Sequence, residues 1–152
     1  MGAGTVFTTE TRGTEETWRK DMQYMLLIYL DEKALSECER EGCYEESTQF
    51  AHQLNTSGQY MAAAPLHPTS TATSVRVRGG KRLVTDGPFA ETREQLGGFF
   101  LIDANDLDEA IDIAARIPAG RWGTVEIRPV LEIPGLPESA FVRRQSPVRA
   151  AD

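Results

Sequence analysis

The order of apolar and amphipathic segments predicts one α+β domain, a β-α-β-β-α-β ferredoxin-like sandwich carrying an inserted β-hairpin. Three observations predict it. Four short apolar runs, starting at Met22, Gln59, Gly97 and Thr124, have the length and side chains of strands. Two stretches with helical spacing follow the first and third of these runs. Between the second and third, a pair of alternating segments flanks Gly79-Gly80. The length of 152 residues suits one domain, and a 40% hydrophobic composition with 13 glycines and 8 prolines is that of a globular protein.

Residues 1–21 show no hydrophobic period and are expected to form a disordered leader. The domain is expected over 22–131, opening with the apolar strand Met22 to Leu30. From Asp31 to Ser57 the pattern turns helical. Cys43, Ser47, Phe50 and Leu54 recur on one face, with Gly58 placed to stop the helix and a shorter helix possible over 32–41. Gln59 to Ala64 reads as the second strand, closed by Pro65. Thr73–Arg78 and Lys81–Thr85 form the hairpin, because two glycines can adopt the positive φ angles of a primed turn. Gly97 to Asp103 is the next strand. Asp106 and Glu109 have capping-box spacing, Leu107, Ala110, Ile111 and Ala114 form the expected buried stripe, and Pro118 ends the helix. In Thr124 to Val130, Val125 and Ile127 share one face and Glu126 and Arg128 the other. Prolines recur beyond Glu132, and 132–152 is expected to be a disordered tail.

Two helices cover only one face of a four-stranded sheet, so a second subunit is the economical cover for the other, and a homodimer is expected. The net charge of −7 resides almost entirely in the core segment, which repels phosphate backbones and argues against nucleic acid. No run of about 18 apolar residues is present to span a membrane, and residues 1–20 lack the apolar stretch of a secretory signal, so a cytoplasmic location is expected. Cys38 and Cys43 match neither a redox pair nor a common zinc spacing, and two lone histidines make no metal motif. Neither a metal nor a cofactor is expected.

The segment Thr85 to Gly98 is richer in functional groups than a connection needs. Gly87 and Pro88 make a rigid corner that fixes Asp86, the candidate acid or base, although an Asp before Gly-Pro can equally be a turn residue capping nearby N–H groups. Glu91 and Glu94 would share a face if the segment makes a helical turn. Phe89 can pack against a ligand, and Gly97-Gly98 lets another backbone or a ligand approach closely. His67, in the connection before Pro68, is a candidate helper if folding brings it beside Asp86, while His52 reads as a solvated helix residue. Arg93 and Arg128 could orient an anionic substrate. Arg76, Arg78, Lys81 and Arg82 make the hairpin basic, which suits either anion binding or edge protection.

Asp86-Gly-Pro-Phe-Ala-Glu-Thr-Arg-Glu-Gln-Leu-Gly-Gly-Phe resembles the signature loop of the DGPF, or YCII-related, proteins. The likeness extends to Tyr24-Met-Leu-Leu-Ile-Tyr, to Thr71–Arg78, to Asp106–Ile117 and to Val125–Val130. It implies a ferredoxin-like fold, pairing as a dimeric α/β-barrel, and a cleft of largely undefined enzymatic use. Arg93 stands where the family signature usually has Lys. Ser47 stands where YCII proper is associated with a first-helix histidine that works with an acid, so that pair is not carried over. His52, five residues on, is expected to point elsewhere.

Three readings of function follow. The first is a cofactor-free enzyme acting on a small organic molecule, with Asp86 as acid or base, Glu91 or His67 as helper, and Phe89, Arg93, Glu94, Gly97, Gly98 and Arg128 holding the substrate. The second is a non-catalytic ligand-binding or regulatory dimer, of the kind the resemblance associates with extracytoplasmic-function sigma factors. The third is a structural dimer whose loop locks the subunit contact.

Overall fold

The computed structural model describes residues 22–137, so the expected leader and residues 138–152 of the expected tail lie outside the described residues. Strand β1 (Met22–Leu30) leads into helix α1 (Glu37–Thr56) and strand β2 (Tyr60–Pro65). A short 3-10 turn precedes the hairpin β3 (Thr73–Arg78) and β4 (Lys81–Asp86). Then come β5 (Gln95–Ala104), α2 (Leu107–Ala115), a second 3-10 turn over Pro118–Arg121, and β6 (Gly123–Pro129). The four long-range strands make an antiparallel sheet in the order β2-β5-β1-β6, consistent with a ferredoxin-like α+β fold.

Alternation along β1 explains the two faces of this sheet. Tyr24, Leu26 and Ile28 are buried, whereas Met25, Leu27 and Tyr29 between them are only half-buried. Across the sheet Leu26 pairs with Phe100 and with Ile127, which places these three on the buried face with α1 and α2. Met25 lies opposite Leu101 and Leu27 opposite Phe99, which gives the other face an apolar strip. Glu126 and Arg128 share that second face and pair with each other at 3.5 Å.

Helix α1 begins at Glu37 rather than in the expected 31–36 region. Ser36 accepts from the Glu39 N–H and the Glu39 carboxylate accepts from the Ser36 N–H, a complete capping box. Those bonds hold the Glu39 carboxyl below its ordinary range, the backbone bond to Ser36 contributing most. The cap of α2 is half of the expected box. Asp106 accepts from the Glu109 N–H at 2.8 Å, but Glu109 reaches one residue further back, to the N–H of Asn105. The buried stripe is Ala110, Ile113, Ala114 and the following Ile117 rather than the expected Leu107, Ala110, Ile111 and Ala114, and packing leaves Leu107 and Ile111 51% and 46% exposed.

The hairpin closes as expected, with φ of 56° at Gly79 and 74° at Gly80. It forms a two-stranded sheet of its own, separate from the main sheet. The segment after β4 makes no helical turn, so the shared helical face expected for Glu91 and Glu94 does not form.

Candidate functional site

Between α1 and the β2–β5 side of the sheet lies a cavity of about 460 Å3. Its origin is a mismatch of side-chain size. Where α1 passes over β2 and β5 it presents Ser47 and Ala51, and the strands answer with Ala63, Pro65 and Gly98. Small residues on both facing surfaces leave unfilled space that larger side chains would close. Ile28, Leu30, Leu35 and Phe100 supply apolar walls, and the ring of Phe50 packs against Phe100 with centroids 5.8 Å apart.

The glycines of β5 belong to this architecture. A methyl group at Gly98 would sit 2.8 Å from the Ala64 carbonyl oxygen, so this position is required by the approach of β2. A methyl group at Gly97 would meet the Leu30 side chain at 3.4 Å and the Ile28 carbonyl oxygen at 3.9 Å, both ordinary contacts, and Gly97 falls at the register shift between Ile28 and Tyr29.

Polar groups line the helix side. Ser47, Thr48, His52 and Asn55 all face the cavity. Ser47 and His52 are about 140° apart around an ideal helix, and His52 is exposed as expected where Ser47 is half-buried, yet the cavity wraps enough of α1 to include both in its lining. The Thr48 hydroxyl donates to the Tyr44 carbonyl at 2.8 Å, and Ser47 bonds the Cys43 thiol. His52 and Asn55 make no side-chain hydrogen bond among the described residues, leaving their donors and acceptors for a ligand. At the rim, the Glu32 carboxylate accepts from the Thr69 N–H at 2.7 Å and hydroxyl at 2.8 Å, while Arg40 donates to the Glu32 carbonyl at 3.1 Å. Both rim charges therefore tie the cavity edge together.

Burial pushes the Cys43 thiol above its ordinary value, partly offset by the Ser47 bond and the nearby Arg121. Arg121 in turn pairs with Glu46 at 2.6 Å and stacks over Trp122, joining α1 to the turn before β6.

Of the residues singled out from the sequence, Gly97 and Gly98 line the cavity; Asp86, Glu91, His67, Phe89, Arg93, Glu94 and Arg128 do not. Asp86 ends β4 opposite Thr73 and is exposed. Its corner is braced by Gly87, whose φ is 105°, whose N–H donates to the Ala72 carbonyl at 2.7 Å, and whose carbonyl accepts from Ser74. The Asp86 carboxylate itself has no hydrogen-bond partner among the described residues. Glu91 and Arg93 are exposed, Phe89 is 81% exposed, and the Glu94 carbonyl accepts from Thr92. His67 is exposed beside the cavity-lining Leu66 and Pro68. No group of three or more His, Cys, Asp or Glu among the described residues is arranged to hold a metal, and no described helix is long and apolar enough to cross a membrane.

An antiparallel α+β sandwich with a small-molecule-sized cavity under its first helix defines the class. The particular family is shown by comparison: a model of the YCII-related domain matches residues 22–134, and the chain belongs to that family. It is 39% identical over 114 residues to an uncharacterised protein of Rhizobium meliloti (strain 1021), an alignment covering 72% of this chain and 92% of the relative.

Proposed function

We propose that the protein binds a small, uncharged organic molecule in the cavity under α1. The observation that carries this reading is an apolar cavity of about 460 Å3 with two uncommitted polar side chains, His52 and Asn55, on one wall. That volume lies within the range of small-ligand sites, and a few placed polar groups in an apolar surround are their usual composition. A neutral ligand is favoured because Glu32 and Arg40, at the rim, are engaged by the protein's own backbone. The working form in this reading is a homodimer that covers the half-buried apolar strip of Met25, Leu27 and Phe99 on the second sheet face.

The test uses the uncharged fluorescent probe N-phenyl-1-naphthylamine with the parent protein and Ala51→Phe, which fills the cavity from α1. Saturable binding by the parent, lost in Ala51→Phe with the circular dichroism unchanged, supports the site. Equal binding by both proteins removes it.

A second, catalytic reading has one observation in its favour. The Asp86 carboxylate sits on a braced corner without serving as a cap, so it is available as an acid or base. Asp86→Asn separates the readings: ligand handling through the cavity is indifferent to it, whereas turnover through Asp86 falls by about a hundredfold or more.

A further inference from the structure

Nothing else in the described fold packs as a sheet against β3 and β4, yet the hairpin carries Val75, Val77, Leu83 and Val84. Val75 and Val84 face each other across the hairpin at 59% and 57% exposed. A two-stranded hairpin is at best marginally stable alone in water, so the ribbon as a whole calls for a partner surface. The charges say which. Arg76, Arg78, Lys81 and Arg82 all lie on this ribbon, exposed and without an ion pair among the described residues.

The complementary charges are on α1. Of its five glutamates, Glu46 is held by Arg121 and Glu39 by the cap. The other three, Glu37, Glu41 and Glu45, are exposed and unpaired among the described residues. They stand four residues apart, in one row along the helix, where like charges repel unless something neutralises them. Their spacing is about 6 Å along the axis. Residues two apart on a strand, as Arg76 and Arg78 are, stand about 7 Å apart on one face. The register places Arg76, Leu83, Arg78 and Lys81 on that same face, a basic surface with one apolar side chain in it, and puts Val75, Val77, Val84 and Arg82 on the opposite face. Beside the acidic row, Tyr44 is 46% exposed and offers Leu83 an apolar contact.

We propose that the β3–β4 hairpin is an arm that grips a second copy of this chain, laying Arg76, Arg78 and Lys81 along the Glu37–Glu41–Glu45 row of that copy's α1. Arm and row occur once per chain, so a two-fold pair makes the contact twice. The overall charge of −7 disfavours nucleic acid as the occupant of a surface this small. The contact is distinct from the open sheet face: a dimer held by the sheet alone is indifferent to charge on the arm.

The experiment is a charge swap on the full chain, read by sedimentation and by subunit exchange between fluorophore-labelled copies. Arg78→Glu with Lys81→Glu, and separately Glu41→Lys with Glu45→Lys, alter only exposed side chains; circular dichroism checks that both fold. Each pair of substitutions is expected to weaken association, or speed subunit exchange, by roughly tenfold or more. Combining all four restores it to within about threefold of the parent, because the attraction is recreated with signs reversed. Raising the salt weakens the parent's association as screening predicts. A monomeric parent overturns the proposal, as does an arm variant that associates and exchanges like the parent. Weakening without rescue also overturns it, since it assigns the arm to some other partner.

Discussion

The two helices occupy equivalent places on one face of the sheet, yet they meet it in different ways. Under α2 the stripe of Ala110, Ile113 and Ala114 is buried, and Ile113 and Ile102 are fully enclosed. Under α1 the enclosed anchors Phe50 and Leu54 lie in the C-terminal half, while Ser47 and Ala51 stand over alanine and glycine and leave the cavity. One helix is packed for stability and the other is set to leave space. Protein interiors are ordinarily filled to crystal-like density, so space that persists between two tight anchors is a feature to be explained by use.

That comparison is open to being broken. The largest effect is expected on the packed side. Ile113→Ala should cost about 2–5 kcal/mol, a fall in melting temperature of roughly ten degrees or more. On the open side, Ala51→Leu adds volume where space exists, and its melting temperature should stay within a few degrees of the parent because no neighbour has to move far. If Ala51→Leu destabilises the protein as much as Ile113→Ala, the α1 face is as tightly packed as the α2 face and the contrast fails.

A smaller effect concerns pH. Cys43 has its thiol raised by burial, and Tyr24 its phenol raised by burial and by the nearby Asp106 charge. Both groups stay protonated in the folded chain over a range where the unfolded chain would lose the proton. Their contribution is complete below the ordinary thiol value of about 8.5 and is lost as pH rises from there toward the raised values. The melting temperature should therefore decline above about pH 8.5, and Cys43→Ala should make the first part of that decline shallower. The same burial predicts that iodoacetamide modifies the exposed Cys38 first and Cys43 much more slowly, which mass spectrometry on the native protein would show. Equal rates would mean that α1 opens readily from the sheet.

The smallest expected effect is at Asp86. Its carboxylate bonds nothing among the described residues, so Asp86→Asn should change stability by no more than about 0.5 kcal/mol. A loss near 1 kcal/mol would reveal a capping role.

Much of the fold was legible because it rests on periodicity. The alternation of Tyr24, Leu26 and Ile28, the Gly79-Gly80 turn and the cap at Asp106 each impose one local geometry. The start of α1 was misplaced because Ser36 and Glu39 lie among many charged residues, where their three-residue spacing does not stand out. The α2 stripe was read one position set early, since Leu107 and Ile111 are as apolar as Ile113 and Ile117 and only packing chooses between them.

The cavity was not legible, for a different reason. An absence of bulk gives no periodic signal, and Ser47, Ala51, Ala63 and Gly98 come from three separate elements. The one available clue was the run Ala62-Ala63-Ala64, three small residues in a strand that packs under a helix, where larger ones are usual. Sequence reasoning goes instead to the Asp86 loop, which is dense in charged and aromatic residues, and its reading of His52 as a surface residue holds, since His52 is exposed even though it contributes to the cavity lining. Gly97 and Gly98 are where the loop and the cavity meet.

The most direct test of the central claim is to record backbone amide shifts of the 15N-labelled protein during titration with N-phenyl-1-naphthylamine. Binding under α1 predicts saturable changes concentrated at Ser47, Ala51, His52, Ala63 and Gly98, with little at Thr85, Asp86 and Gly87. Changes centred on Asp86 and Gly87, with the α1 amides unmoved, would contradict it and place ligand binding at the hairpin base.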